Sequence, residues 1–275
     1  MGQTSLPHLI KLSQTISLAL NKVTKPSIMA RQVSFIKLKG RVGDLSFYKS
    51  GGEYLARTKG GVDGDRIKTD PRFERTRENG REFLRSVKAG KLLRDAFSEH
   101  IFLTADRGMS GRLTSALSKV LKSDPESARG ERTVMNGELG ILAGFEFNNG
   151  SNLDGIFLGR YTTQVAEGIA NTELEAFSPS TSIRKPESAT HAQLVMVAGN
   201  FNFNELTSSV ASAQSDTFDL SETEHEGISL NVEVPAVEGG TGLVMLGLAF
   251  WQEVNGQLYK MNNGARNALR IVAVE

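Results

Sequence analysis

From Gly140 onward the chain is written in β-branched and aromatic residues, Ser, Thr, Asn and Gly, a vocabulary that suits a pleated sheet and leaves little room for helix. Nine short runs read as strands: Ile141 to Phe147, Gly155 to Gln164, Glu173 to Phe177, Gln193 to Ala198, Thr217 to Leu220, Ile228 to Val234, Leu243 to Trp251, Gln257 to Met261 and Ala268 to Val274. Turn dipeptides separate them, among them Asn149-Gly150, Asn255-Gly256 and Asn263-Gly264, pairs that accept the left-handed backbone of a tight hairpin. So many strands with almost no helix pattern between them predict an antiparallel β-sandwich or a jelly-roll-like domain. No internal repeat is visible.

The residues before Gly140 read differently. Val33 to Arg57 holds short strand-like runs: Val33 with Phe35, Ile36 with Leu38, Val42 with Leu45 and Phe47, and Tyr54-Leu55 after the turn Ser50-Gly51-Gly52. These make a small β-meander or an extended arm with too little apolar area to stand alone, so it must lie on something else. Asp70-Pro71 is a helix start, with Asp as N-cap, Pro at the first helical position and Glu74 in the first turn. That helix is expected to reach Ala89 and continue past Gly90 to Leu103. Asn79-Gly80 and Gly90 each mark a break or the close approach of another backbone. Arg112 to Lys122 carries the clearest amphipathic stripe, Leu113, Ala116, Leu117, Val120 and Leu121, and Asp124-Pro125 ends it.

The expected fold class is therefore α+β, with a basic β-arm and helical layer over residues 29–125 and an acidic antiparallel β-sandwich over residues 126–275. Residues 1–28 show only a weak amphipathic helix between Met1 and Lys25 and read as a leader or an over-extended start. Densely patterned sequence begins after Met29, so the first 28 residues are expected to be dispensable.

Charge follows the same division. Through Pro125 the chain has 24 Lys and Arg against 12 Asp and Glu; from Glu126 it has 8 against 19, so a net charge of +1 hides two opposed halves. Between Glu187 and Glu253 there are ten carboxylates and no Lys or Arg. Such a chain satisfies itself internally or stacks head to tail on its neighbour.

Catalytic signatures are missing. Without cysteine there is no disulfide, thiolate nucleophile or Cys-based metal site. No apolar run approaches the ~20 residues of a transmembrane helix, and no signal-peptide core is recognisable. The compartment is left between the cytoplasm and an assembled particle. His8, His100, His191 and His225 are widely spaced and none stands in a ligand motif, His225 reading as an exposed loop residue. The loop Lys59 to Asp65 has the Asp residues of a calcium loop but Ile67 where a further oxygen ligand belongs, and reads as an ordinary Gly/Asp turn. Ser110 lacks the spacing of a nucleophile elbow and reads as part of a helix-entry loop. Gly90-Lys91 lacks the flanking residues of a phosphate loop, and Gly239-Gly240-Thr241-Gly242 leads into a strand. Asn149-Gly150-Ser151 matches a glycosylation sequon but reads as a hairpin turn. Carboxylates are plentiful, and the sequence leaves open a pair converging in a cleft as acid and base. No cofactor, metal or small-molecule substrate is called for, and the chain reads as non-enzymatic.

One helix face invites a partner. Arg77, Arg81, Arg85, Lys88 and Lys91 fall within an arc of about 120° that would track a phosphate backbone. Glu74, Glu78 and Glu82 stand three residues before Arg77, Arg81 and Arg85, so i,i+3 pairs are expected to neutralise the arginines in a solvated or partner-facing helix. Phe73 and Phe83 fall by spacing on an apolar stripe with Leu84 and Val87 and are expected in the core.

The runs Ile36-Lys37-Leu38-Lys39-Gly40-Arg41-Val42-Gly43-Asp44-Leu45-Ser46-Phe47-Tyr48-Lys49, Tyr54-Leu55-Ala56-Arg57 and Asp70-Pro71-Arg72-Phe73-Glu74-Arg75-Thr76-Arg77-Glu78-Asn79-Gly80 carry a resemblance. Together with Lys88 to Arg94, they resemble a family of uncharacterised proteins common in Bacteroidota, specifically over residues 30 to 95 and loosely through the β region. The resemblance implies a start near Met29 and brings no catalytic residue or ligand.

The expectation is a structural protein that self-assembles as a homo-oligomer, filament or shell. Its candidate contacts are Lys37, Lys39, Arg41, Lys49 and Arg57 in the arm and the five basic residues of the helix. The arm, Arg31 to Lys59, is expected to dock on the acidic sandwich of the next copy. The alternative is a nucleic-acid-binding protein using its basic half, with affinity no tighter than the non-specific range of about 10⁻⁴ to 10⁻⁶ M.

Overall fold

The structure is a computed structural model and describes residues 29–58, 61–166, 168–261 and 266–275. The expected leader and its amphipathic helix, Lys59 and Gly60 of the Gly/Asp loop, His8 and the Asn263-Gly264 turn lie outside the described residues. The chain forms two compact units that divide between Arg66 and Ile67.

In the first unit, β1 (Met29–Arg31), β2 (Gly40–Val42), β3 (Leu45–Ser50) and β4 (Glu53–Thr58) form an antiparallel sheet in the order β1-β4-β3-β2. The pairing register places Val42, Leu45, Phe47, Tyr54 and Ala56 on one face and Arg31, Arg41, Tyr48, Leu55 and Arg57 on the other. None of the described residues 30–66 is buried. Val33 to Leu38, expected as strand, is an irregular loop. The Gln32 side chain accepts the Leu38 N–H at 2.7 Å and donates to the Leu38 and Leu55 carbonyls at 3.3 and 3.2 Å. It takes up locally the hydrogen bonds that a sheet ladder would need.

The division falls within α1 (Gly64–Thr69), where Asp63 accepts the Asp65 N–H at 2.8 Å and turns the Gly/Asp loop into a helix start. Asp70 caps as expected, accepting the Arg72 N–H at 3.0 Å ahead of a 3₁₀ turn, Pro71–Phe73, that runs into α2 (Glu74–Ala96). α2 passes through both glycines unbroken. A Cβ on Gly80 would meet nothing, whereas one on Gly90 would lie 3.4 Å from Leu117 and 3.6 Å from Thr114 Oγ1, so Gly90 marks a close helix crossing. α3 (Ser98–Phe102) is a separate turn, and α4 (Met109–Lys122) takes in Ser110, which belongs to its first turn rather than to an entry loop.

Beyond α4 come α5 (Leu153–Ile156), β5 (Tyr161–Ala166), β6 (Ile169–Leu174), α6 (Pro179–Ser182), β7 (His191–Asn202), β8 (Thr207–Gln214) and β9 (Phe218–Asp219). β10 (Ile228–Glu233), β11 (Thr241–Val254), β12 (Gln257–Lys260) and β13 (Ala268–Val274) complete the chain. β10, β6 and β5 make a three-stranded sheet. The six-stranded sheet is built on β7 and β11, paired from Thr241 with Phe201 to Trp251 with His191; β8 and β9 flank β7, and β12 and β13 flank β11.

Both faces of that central pair are covered. Val195, Val197, Phe201, Leu243 and Met245 share one core with Leu93, Phe97, Leu113, Leu117 and Leu121 of α2 and α4 and the short link after α2. Leu194, Met196, Val244, Leu246 and Phe250 share the other with Ala170 and Leu174 of β6, Leu230 of β10 and Phe218 of β9. Burial on two sides is why β7 and β11 read as near-continuous apolar runs. The fold is thus α+β with a sandwich-like β domain, and the helices form a layer on the larger sheet within the same compact unit.

Some strands differ from expectation. Ile141 to Phe147 is a 3₁₀ turn, Leu139–Leu142, and then an extended strap hydrogen-bonded to β13, Gly144 N–H to Ile271 O at 2.8 Å and Phe147 N–H to Leu269 O at 2.9 Å. Gly155 to Gln164 opens as the last residues of α5, and only Tyr161 onward is strand. Asn149-Gly150 closes no hairpin: Gly150 N–H bonds Asn148 Oδ1 at 3.0 Å and Asn149 N–H bonds Asp106 Oδ2 at 2.8 Å, which folds a loop. Asn255-Gly256 does close the β11–β12 hairpin, with φ of 53° and 76° as a two-residue turn with both φ positive requires. No helix among the described residues is long and apolar enough to cross a membrane.

Candidate assembly surfaces

Of the five arm candidates, Arg41, Lys49 and Arg57 sit on the small sheet and Lys37 and Lys39 in the loop before β2, and all remain exposed. Lys37 donates to the Gln32 carbonyl at 2.5 Å, Lys37 and Lys49 lie 6.0 and 5.4 Å from the centre of the Tyr54 ring, and Arg57 lies 5.3 Å from that of Tyr48. Arg41 donates to the Gly43 carbonyl at 3.2 Å, and Arg31 pairs with Glu53 at 2.6 Å. Lys39 is exposed at the end of the loop. Beside these cations the loop presents Val33 and Phe35, 86% and 93% exposed, with Ile36 and Leu38 exposed as well. A run of large apolar side chains left in water is what a docking surface looks like.

The helix candidates are deployed differently from expectation. Glu78 and Glu82 are buried and do not neutralise Arg81 and Arg85: Glu78 pairs with Arg75 at 2.9 Å and Arg129 at 3.6 Å, and Glu82 accepts the Gly130 N–H at 2.7 Å. Arg81 and Arg85 reach Glu131 at 3.3 and 3.0 Å and the Gly130 carbonyl at 3.3 and 2.7 Å. Arg77 donates to the Ile67 and Asp70 carbonyls at 2.8 and 2.9 Å. The cause is the loop after α4. Gly130 has φ +91°, and a Cβ there would lie 2.7 Å from Arg81 and 2.9 Å from Glu78, so glycine alone lets the loop settle among these side chains. Asp124 organises the same loop by accepting the N–H groups of Glu126, Ser127 and Thr133, each at 3.0 Å. Burial opposes its ionisation, but these donors outweigh it and bring its pKa down to about 2. Lys91 pairs with Asp95 and Lys88 is exposed, so both stay at the surface.

Phe83 and Leu84, expected in the core, are 61% and 53% exposed. The buried side of α2 is Glu78, Glu82, Ser86, Ala89, Gly90 and Leu93, because its first half faces the polar Gly130 loop rather than an apolar layer. Phe83 borders a groove of about 560 Å³ with Lys122, Arg129 and Arg132, a basic feature that no local sequence pattern signals.

On the acidic side, Phe177 and His225 are joined backbone to backbone at 3.1 and 2.8 Å, and their rings stack 5.2 Å apart. Phe218 stands edge-on to both rings, at 5.7 and 5.0 Å. Phe177 and His225, with Ala176, Ser178, Thr223, Glu224 and Glu226, line an open groove of about 560 Å³. His225, expected as an exposed loop residue, is half-buried in this stack.

Two carboxylates do meet, on Arg270 of β13. Arg270 pairs with Asp154 and lies 3.7 Å from Glu146 Oε1, which also accepts the Leu153 N–H at 3.2 Å. Burial pushes the Glu146 carboxyl up to about 7, against the pull of Leu153 and Arg270, and its Oε2 is buried without a hydrogen-bond partner among the described residues. Arg112 of α4 donates to the Glu146 carbonyl at 2.6 Å and pairs with Asp106. The contacts tie the strap to β13 and α4. Among the described residues no group of three His, Asp or Glu is placed to hold a metal ion.

The fold and these surfaces define a class: an α+β protein with a sandwich-like domain and a coreless four-stranded arm. No protein-family model, curated protein or solved structure matches the chain.

Proposed function

We propose that the chain is a non-enzymatic structural protein that self-assembles, its basic arm docking on the acidic β domain of the next copy to build a homo-oligomer, filament or shell. The observation that carries this reading is the arm: a four-stranded sheet in which none of the described residues 30–58 is buried, with a loop of exposed Val33, Phe35 and Ile36. So small a sheet is marginal in water by itself and gains stability when a surface covers it. The run from Glu187 to Glu253, with ten carboxylates and no Lys or Arg, supplies a surface of opposite charge. A contact between unlike surfaces repeats from copy to copy and closes into a ring or continues as a filament. The nucleic-acid alternative draws on the same basic half, but Arg77, Arg81 and Arg85 already donate to the helix start and the Gly130 loop. Light scattering and negative-stain images of the full chain test the reading: assembly is expected at low salt, slowing as salt rises. Deleting residues 32–59 is expected to leave a folded monomer. If that deletion leaves the assembled mass unchanged, the arm is not the contact.

A further inference from the structure

The loop that carries Phe35 is held in shape. Gln32 bonds both the Leu38 N–H and its carbonyl, Ser34 Oγ accepts the Ile36 N–H at 3.2 Å, and Lys37 donates back to the Gln32 carbonyl. These contacts present Phe35 outward with Lys37 and Lys39 a few residues behind it. A knob of this kind, aromatic at the tip and cationic at the base, needs an aromatic floor with an acidic rim.

The groove beside β9 and β10 has that chemistry. Its floor is the Phe177–His225 stack and its rim carries Glu224 and Glu226, with Glu222 next to them in the chain. All three carboxylates are exposed, and none pairs with a cation among the described residues. The basic groove at Phe83 has the wrong sign for this loop.

We propose that the receptor for the arm is this groove: Phe35 of one copy seats against the Phe177–His225 stack of a second copy, while Lys37 and Lys39 meet Glu224 and Glu226. The proposal rests on the self-assembly reading and adds to it one knob and one hole on each chain. The aromatic contact supplies most of the affinity and the charges set orientation and association rate.

The test uses two full-length variants that each lose one side of the contact, Phe35→Asp and the double variant Glu224→Lys with Glu226→Lys, followed by sedimentation velocity at low salt. Each alone is expected to stay monomeric under conditions where the unaltered chain assembles. Because one variant keeps its groove and the other keeps its knob, an equimolar mixture is expected to form a dimer of one each and nothing longer. Melting curves matching the unaltered chain are expected for both, since every altered side chain is exposed; the milder Phe35→Ser is expected to weaken assembly roughly tenfold or more, and Glu224→Gln to slow association with a smaller loss of affinity. If either charged variant assembles like the unaltered chain, or if the folded pair stays monomeric when mixed, the knob-and-groove pairing is wrong while arm-driven assembly stands. If the unaltered chain is itself monomeric at high concentration and low salt, the self-assembly reading falls and takes the pairing with it.

Discussion

β3 and β4 in the arm carry Phe47, Tyr48, Tyr54 and Leu55, and β7 and β11 in the larger unit carry Met196, Phe201, Leu246 and Phe250. Both are antiparallel pairs of β-forming sequence, yet no residue of β3 or β4 is buried while Phe201, Met196, Leu246 and Phe250 are fully buried. The difference lies in what covers them: helices on one face of β7 and β11, a second sheet on the other. A strand pair becomes a core only when another layer removes water from its faces.

Removing a buried ring should widen that contrast most. Phe201 stands edge-on to Phe97 at 5.1 Å and is fully buried, so Phe201→Ala is expected to cost about 3–5 kcal/mol in denaturant unfolding. Phe47→Ala in the arm is expected to leave the main transition within about 0.5 kcal/mol under dissociating conditions. A smaller loss comes from Asp124→Ala, which strips three N–H groups of their acceptor and is expected to cost about 1–3 kcal/mol. Since the Asp124 pKa falls from 3.8 to about 2 on folding, its contribution is present above pH 3.8 and lost as pH drops through 2, so acid titration should show Asp124→Asn less sensitive there.

Glu146 has the opposite sign. Its pKa rises from 4.5 to about 7 on folding, so the native state holds a proton that the unfolded chain releases. Stability from this group is full below pH 4.5 and declines as pH rises to 7, and Glu146→Gln is expected to flatten that slope in melts across the range. The smallest effect separates two glycines of α2. Gly80→Ala fills open space in a helix interior and is expected to stabilise by about 0.5–1 kcal/mol, whereas Gly90→Ala meets Arg94 and Leu117 at 3.3 and 3.4 Å and is expected to give no such gain.

What the sequence made legible was local or periodic. The Asp70 cap, the stripe of α4, the Asn255-Gly256 turn and the apolar runs of β7 and β11 each depend on residues a few positions apart. β8, in contrast, is Thr-Ser-Ser-Val-Ala-Ser-Ala-Gln, a strand only because β7 supplies its ladder. Local spacing points Arg81 and Arg85 of α2 to nearby glutamates, but a loop some fifty positions later offers better acceptors. Of the candidate assembly surfaces, the arm cations lie close together in the chain and are legible directly. The acidic groove joins Phe177 to His225 through a backbone bridge that no local pattern announces.

Hydrogen exchange followed by mass spectrometry at a series of protein concentrations tests most directly whether the arm is a sheet waiting for another copy. The amides of β7 and β11 are expected to be protected equally at every concentration, while those of β1 to β4 are expected to exchange fast in dilute solution and slow as concentration rises, in step with assembled mass. Strong, concentration-independent protection of the arm would contradict this, because the sheet would then be stable without a second chain.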